Sequence, residues 1–101
     1  MTPPIPAKDC ADMHTLRQQI DAIDVTLVRL LADRAGYIDR AVELKTLNGW
    51  PANIPARVED VVAKVRSTAK ETGLDAALVE SLWRQLITWS IAREAQTIRE
   101  N

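Results

Sequence analysis

An all-α fold of three helices, one of them very long, is predicted by three observations. Glycine and proline punctuate the chain in only a few places, with three glycines and five prolines among 101 residues. Alternating β-branched runs joined by hairpin turns are almost wholly missing. Apolar residues recur instead at steps of three and four, the period of one helix face.

The first helix is expected over residues 12–48. Met13, Leu16, Ile20, Ile23, Leu27 and Leu30 make a coiled-coil-like stripe along it. Gly36 lies inside this pattern, where it costs about 1 kcal/mol against alanine without having to break the helix. At about 1.5 Å per residue such a helix is about 55 Å long. A compact globule of this chain length is only about 35 Å across. Two shorter helices cannot cover it, and the simplest remedy is a second copy alongside. A homodimer with a shared core is the expected assembly.

Gly49, Pro51 and Pro55 mark the next break. The second helix is expected over 56–71, with Val58, Val61, Val62, Val65 and Ala69 on one face. Gly73 suits the left-handed position that ends a helix. The third helix is expected over 75–98, opened by Asp75 as N-cap, with Leu78, Val79, Leu82, Leu86 and Trp89 as its apolar stripe. Pro3, Pro4 and Pro6 mark residues 1–10 as a flexible N-terminal arm ahead of a helical domain over 11–101.

Composition narrows the chemistry. Apolar residues make up 47% and charged residues 27%, a globular balance rather than a disordered one. A formal net charge of -1 offers no general pull toward nucleic acid or an anionic membrane, so neither is an expected partner. Any bound anion must be caught by a local cluster of cations. Cys10 and His14 stand alone in their types, which argues against a disulfide, a thiolate or histidine metal site and a Ser-His-Asp triad. No metal or other cofactor is expected. Met1 to Lys8 has no apolar signal-peptide core, and no run approaches the roughly 18 apolar residues of a membrane span, so a cytoplasmic setting is expected.

The stripe of the first helix continues through Arg34, Ile38, Ala41 and Lys45. Two cations therefore occupy positions that the earlier half gives to leucine and isoleucine. They point the same way, about 16 Å apart along the axis. A charge in an apolar seam costs several kcal/mol unless an opposite charge meets it. Arginine and lysine are also the side chains that bind carboxylates, arginine by a bidentate fork and lysine as a point charge. The plainer alternative is that both snorkel to solvent or pair with glutamates. Ser90 and Glu94 stand one turn apart on the third helix, beside Ile87 and Ile91. Arg17 adjoins the stripe and Arg57 follows the proline break. Each of these is ambiguous singly, since a solvated surface role suits it as well.

Together these residues resemble the all-helical chorismate mutase family, and in detail its isochorismate-pyruvate lyase relatives. The resemblance is carried by DCADMHTLRQQIDAIDVTLVRLLADRAGYI, AVELK, IPARV and GLDAALVESLWRQLITWSIARE, over about residues 10–98. Arg17, Arg34, Lys45, Arg57, Ser90 and Glu94 match the spacing of that family's active site without forced gaps. The resemblance implies an intertwined homodimer of three-helix subunits, in which Arg17 reaches across from the partner's long helix. It implies that Arg34 and Arg57, with that Arg17, hold the two carboxylates of chorismate or isochorismate. Lys45 and Glu94 would meet the ether oxygen of the breaking bond, and Ser90 the ring or its hydroxyl. Ile38, Ala41, Ile54, Val58, Ile87 and Ile91 would form the apolar walls.

The implied reaction needs no nucleophile, metal or general base. It needs a substrate folded into its reactive conformer and positive charge at the oxygen that turns negative. The family often has glutamine where this chain has Glu94. A carboxylate cannot donate to an ether oxygen, so Glu94 is expected to act protonated. Val58 and Ile54 stand where mutases commonly carry polar and acidic side chains, and Ala41 where they often carry a larger aliphatic one. The lyase relatives share the apolar residue at 58 and the alanine at 41. The leading expectation is chorismate mutase, followed by isochorismate-pyruvate lyase. A non-catalytic helical dimer partnering a shikimate-pathway enzyme is the third.

Overall fold

The computed structural model describes residues 3–98. Met1 and Thr2 of the expected arm, and Arg99 to Asn101 of the expected domain, lie outside the described residues. Three α-helices account for most of the chain: α1 over Met13–Asn48, α2 over Pro55–Thr72 and α3 over Ala76–Ala95. Among the described residues there is no strand. The all-α expectation holds, and the three helices begin and end within a few residues of where periodicity and capping place them. None is long and apolar enough to cross a membrane.

The chain divides into two units, one up to Gly36 and one from Tyr37. In the first, a 3-10 turn over Ala7–Asp9 precedes α1. The Ile5 N–H donates to Gln19 Oε1 at 2.9 Å, which ties this segment to the helix that follows it. Asp12 caps α1: its Oδ1 accepts from the Thr15 N–H at 2.7 Å. That backbone donor, with further bonds from the Thr15 hydroxyl and the His14 N–H, holds the Asp12 carboxyl below the usual aspartate range. The stripe beyond the cap is uncovered in the single chain. Ile20, Ile23, Leu27 and Leu30 are 48%, 59%, 51% and 57% exposed, and α1 buries no residue at all.

In the second unit α2 and α3 pack together. Gly73 closes α2 in the left-handed region, at φ 76°, where its missing Cβ removes the usual penalty. Asp75 then opens α3 by accepting from the N–H groups of Ala77 and Leu78. Arg66 pairs with Glu80, and Arg84 with Glu59. Ascending α2 thus meets descending α3, the antiparallel arrangement that a short turn imposes. Val62 and Ala69 of α2 are buried, as are Val79 and Ile87 of α3 and Ala52 of the preceding loop. The valine face expected for α2 is the face that packs.

The stripe expected for α3 needs correction. Val79 is buried and Leu86 half-buried, but Leu78, Leu82 and Trp89 are 47%, 45% and 50% exposed. The residues buried further along α3 are Ile87, Ser90 and Glu94. This helix is apolar around much of its circumference, so periodicity alone does not choose between its faces. The choice falls to α2 and to the end of α1, which cover one face and leave the leucines open.

Candidate active site

The polar centre of the second unit is a lysine meeting a glutamate. Lys45 lies in the last turn of α1 and Glu94 in the last turn of α3. Lys45 Nζ stands 2.8 Å from Glu94 Oε1, and Glu94 is only 4% exposed. The same ammonium donates to the main-chain carbonyl of Ala52 at 2.8 Å. Oε1 itself accepts no well-aligned hydrogen bond, so what it receives from Lys45 is mainly the attraction of the charge. A buried carboxylate costs several kcal/mol without an opposite charge, and Lys45 supplies it. One part of the plainer alternative, that the seam cations pair with glutamates, therefore holds for Lys45. Pairing does not spend the ammonium, which has three N–H donors.

The loop that brings Ala52 to Lys45 follows from its own sequence. Gly49 adopts φ 70°, which turns the chain out of α1 at no steric cost. The Trp50 N–H donates to the Lys45 carbonyl at 2.9 Å and closes the helix end. Pro55 then starts α2 with its φ already suited to the first helical turn, and Ile54 is the extended residue before it. Between these fixed points Ala52 turns inward and is 2% exposed.

Of the other expected residues, Ser90, Ile87 and Ile91 share α3 with Glu94. Ser90 is buried and donates its hydroxyl to the Leu86 carbonyl at 2.8 Å, one turn from Glu94. Val58, Ile87 and Ile91 line an open cleft of about 300 Å³ between α2 and α3. Ile38, Ala41 and Ile54 are half-buried. Arg57 is exposed and donates from Nη1 to Asp60 Oδ2 at 2.7 Å, one turn further along α2. Asp60 also receives Lys64, and the two cations, Lys64 first, hold its carboxyl below the usual range. Arg17 and Arg34 belong to the first unit, where Arg17 is exposed and Arg34 half-buried.

Three features escaped sequence reasoning. The Ala52 carbonyl is a main-chain group, and side-chain pattern carries no signal for it. The rim of the cleft holds Glu59 and Arg84, joined at 3.1 Å across 25 residues of sequence. On the outer side of α3, Arg93 grips Asp39 of α1 through two bonds, at 2.6 and 2.9 Å, and stacks 5.2 Å from the centre of the Trp89 ring. Asp39 is held below the usual aspartate range chiefly by that guanidinium. Among the described residues, no group of three or more His, Cys, Asp or Glu side chains gathers as metal ligands would.

The chain belongs to the chorismate mutase type II family, whose pattern matches residues 16–95. It is 36% identical to an isochorismate pyruvate lyase of Pseudomonas aeruginosa, over 92% of this chain and 91% of that one. It is 28% identical to a chorismate mutase of Methanocaldococcus jannaschii, over 84% of this chain and 86% of the relative. A 4-amino-4-deoxychorismate mutase of Streptomyces pristinaespiralis is 29% identical, over 97% of this chain and 83% of that protein.

Proposed function

We propose that this protein is a chorismate mutase, converting chorismate to prephenate by a pericyclic rearrangement. The observation that carries the reading is the buried Lys45–Glu94 pair, in a chain of the chorismate mutase type II family. In that reaction the ether C–O bond breaks as a C–C bond forms, and negative charge grows on the ether oxygen. Lys45 meets that oxygen with positive charge held in place before the reaction starts, so little reorganisation is needed. Glu94, held against Lys45, meets the same oxygen.

The remaining roles concern shape. Arg34 and Arg57 hold the two carboxylates, aided by Arg17 from a second copy of the chain. Arg57 reaches its carboxylate by leaving Asp60, an exposed partner that binds it weakly. Ser90 meets the ring or its hydroxyl. Ile38, Ala41, Ile54, Val58, Ile87 and Ile91 close around the ring and select the folded conformer. The second copy also covers the exposed stripe of α1, as burial of apolar surface favours. A homodimer is the assembly this reading requires, and the cytoplasm is its proposed setting.

Isochorismate-pyruvate lyase is the second reading. It is favoured by the 36% identity to the Pseudomonas aeruginosa enzyme over nearly the full length of both chains, and by Ala41 and Val58 in the wall. The deciding experiment supplies chorismate and isochorismate to the purified protein in separate tubes. Prephenate from chorismate, formed far above background and lost in Arg34→Ala, establishes the mutase. Salicylate and pyruvate from isochorismate, formed much faster than any prephenate, establish the lyase. Neither product sinks both readings.

A further inference from the structure

The Lys45 side chain crosses from α1 to the 49–54 loop and to α3, and something must aim it. Glu94 Oε1 stands 2.8 Å from the ammonium without a well-aligned bond, so this pairing acts mainly through charge. The directed bond is the one to the Ala52 carbonyl, at 2.8 Å. That carbonyl sits on a residue that is 2% exposed, in a loop tied down at both ends. Gly49 and the Trp50–Lys45 main-chain bond hold its start, and Pro55 at the head of α2 holds its end. Side-chain acceptors swing about their rotamers, whereas a main-chain carbonyl moves only if the loop moves.

We propose that the main-chain carbonyl of Ala52 is the positioning group for the Lys45 ammonium. It takes one N–H along a fixed direction and thereby sets where the other two point. This rests on reading Lys45 as the group at the breaking bond. Ala52 is a positioning residue and touches no reacting atom. Alanine suits the place because its side chain is buried, and a larger one would shift the loop and with it the line from the carbonyl to Nζ.

The test replaces Asn53 by its α-hydroxy analogue, so that the Ala52 carbonyl becomes an ester carbonyl, a weaker acceptor, with every side chain retained. Ala52→Val, which displaces the carbonyl by crowding, is the second protein, and it carries the comparison alone if the ester chain fails to fold. Two readouts are taken: hydrogen exchange of the Lys45 ammonium by ¹⁵Nζ nuclear magnetic resonance, and kcat and KM with chorismate and isochorismate. The expected result is exchange about tenfold faster than in the parent chain, and kcat about tenfold lower with KM within about twofold, the scale of one charge-assisted hydrogen bond. Unchanged exchange and unchanged kcat in a variant of parental helix content overturn the proposal. So does a rise in KM alone, which marks a loop that shapes the pocket without aiming the lysine. If the parent chain converts neither substrate, the proposed function fails, and the exchange rate still decides whether Ala52 holds the ammonium.

Discussion

Lys45 at the end of α1 and Glu94 at the end of α3 meet at 2.8 Å, with the glutamate almost wholly removed from solvent. The contact joins the first helix to the last and holds a positive charge against a buried carboxylate. Such a pair contributes little stability beyond what an apolar pair of the same shape contributes, yet breaking one side of it is costly.

Lys45→Met is therefore expected to destabilise the fold by about 3 kcal/mol, because it strands a carboxylate in the interior. Adding Glu94→Leu should recover most of that loss while abolishing activity. Equilibrium urea unfolding of the parent and the two variants measures both steps. A double variant as unstable as Lys45→Met alone contradicts the account.

The side chain at position 94 should set turnover through its contact with the ether oxygen. Glu94→Gln keeps the shape and places an amide N–H donor there, so kcat should stay within about tenfold of the parental value, whereas Glu94→Ala should lower it about a hundredfold. Equal losses in the two variants, at parental helix content, remove Glu94 from the proposed role.

Acid stability should follow the surface carboxyls. Asp39 is held below its usual range by Arg93, Asp60 by Lys64 and then Arg57, and Glu80 by Arg84 and then Arg66. Between the lowered folded values and the ordinary unfolded ones, the unfolded chain binds the extra protons. Stability then rises with pH, is complete above about pH 4–5, and is lost as pH falls through the lowered values. Asp39→Asn removes one of these contributions, so thermal melts across this acid range should show a shallower decline. An identical decline means that the Asp39–Arg93 bond has no part in it.

Arg17 is proposed to act from a second copy, which makes a mixing experiment decisive. Arg17→Ala and Lys45→Ala should each be close to inactive. Refolded together in equal amounts they form mixed dimers with one intact site, and about a quarter of parental activity should return. No recovery, with mixed dimers demonstrated, places Arg17 in its own subunit's site. Ile23→Glu with Leu27→Glu should instead yield monomers in sedimentation, because both side chains lie on the exposed stripe of α1.

The sequence by itself determined the number of helices, their ends and the packing face of α2. Those features are local: a step of three or four residues, an aspartate at position 75 that caps, a glycine at 73 that turns left-handed. Family membership was legible for a related reason, since Arg17, Arg34, Lys45, Arg57, Ser90 and Glu94 keep a spacing that a chain of helices preserves. The tertiary structure alone decided the partners. Periodicity placed Lys45 in a seam, and only the approach of α3 and the 49–54 loop gave it Glu94 and the Ala52 carbonyl. It likewise decided that Arg57 turns to Asp60 and Arg93 to Asp39, and that α3 buries Ser90 and Glu94 rather than Leu82 and Trp89. The physical reason is common to all of these. A helix face is set by neighbours three and four residues away, whereas a long charged side chain or a main-chain carbonyl finds its partner on whichever element folding brings within about 3 Å.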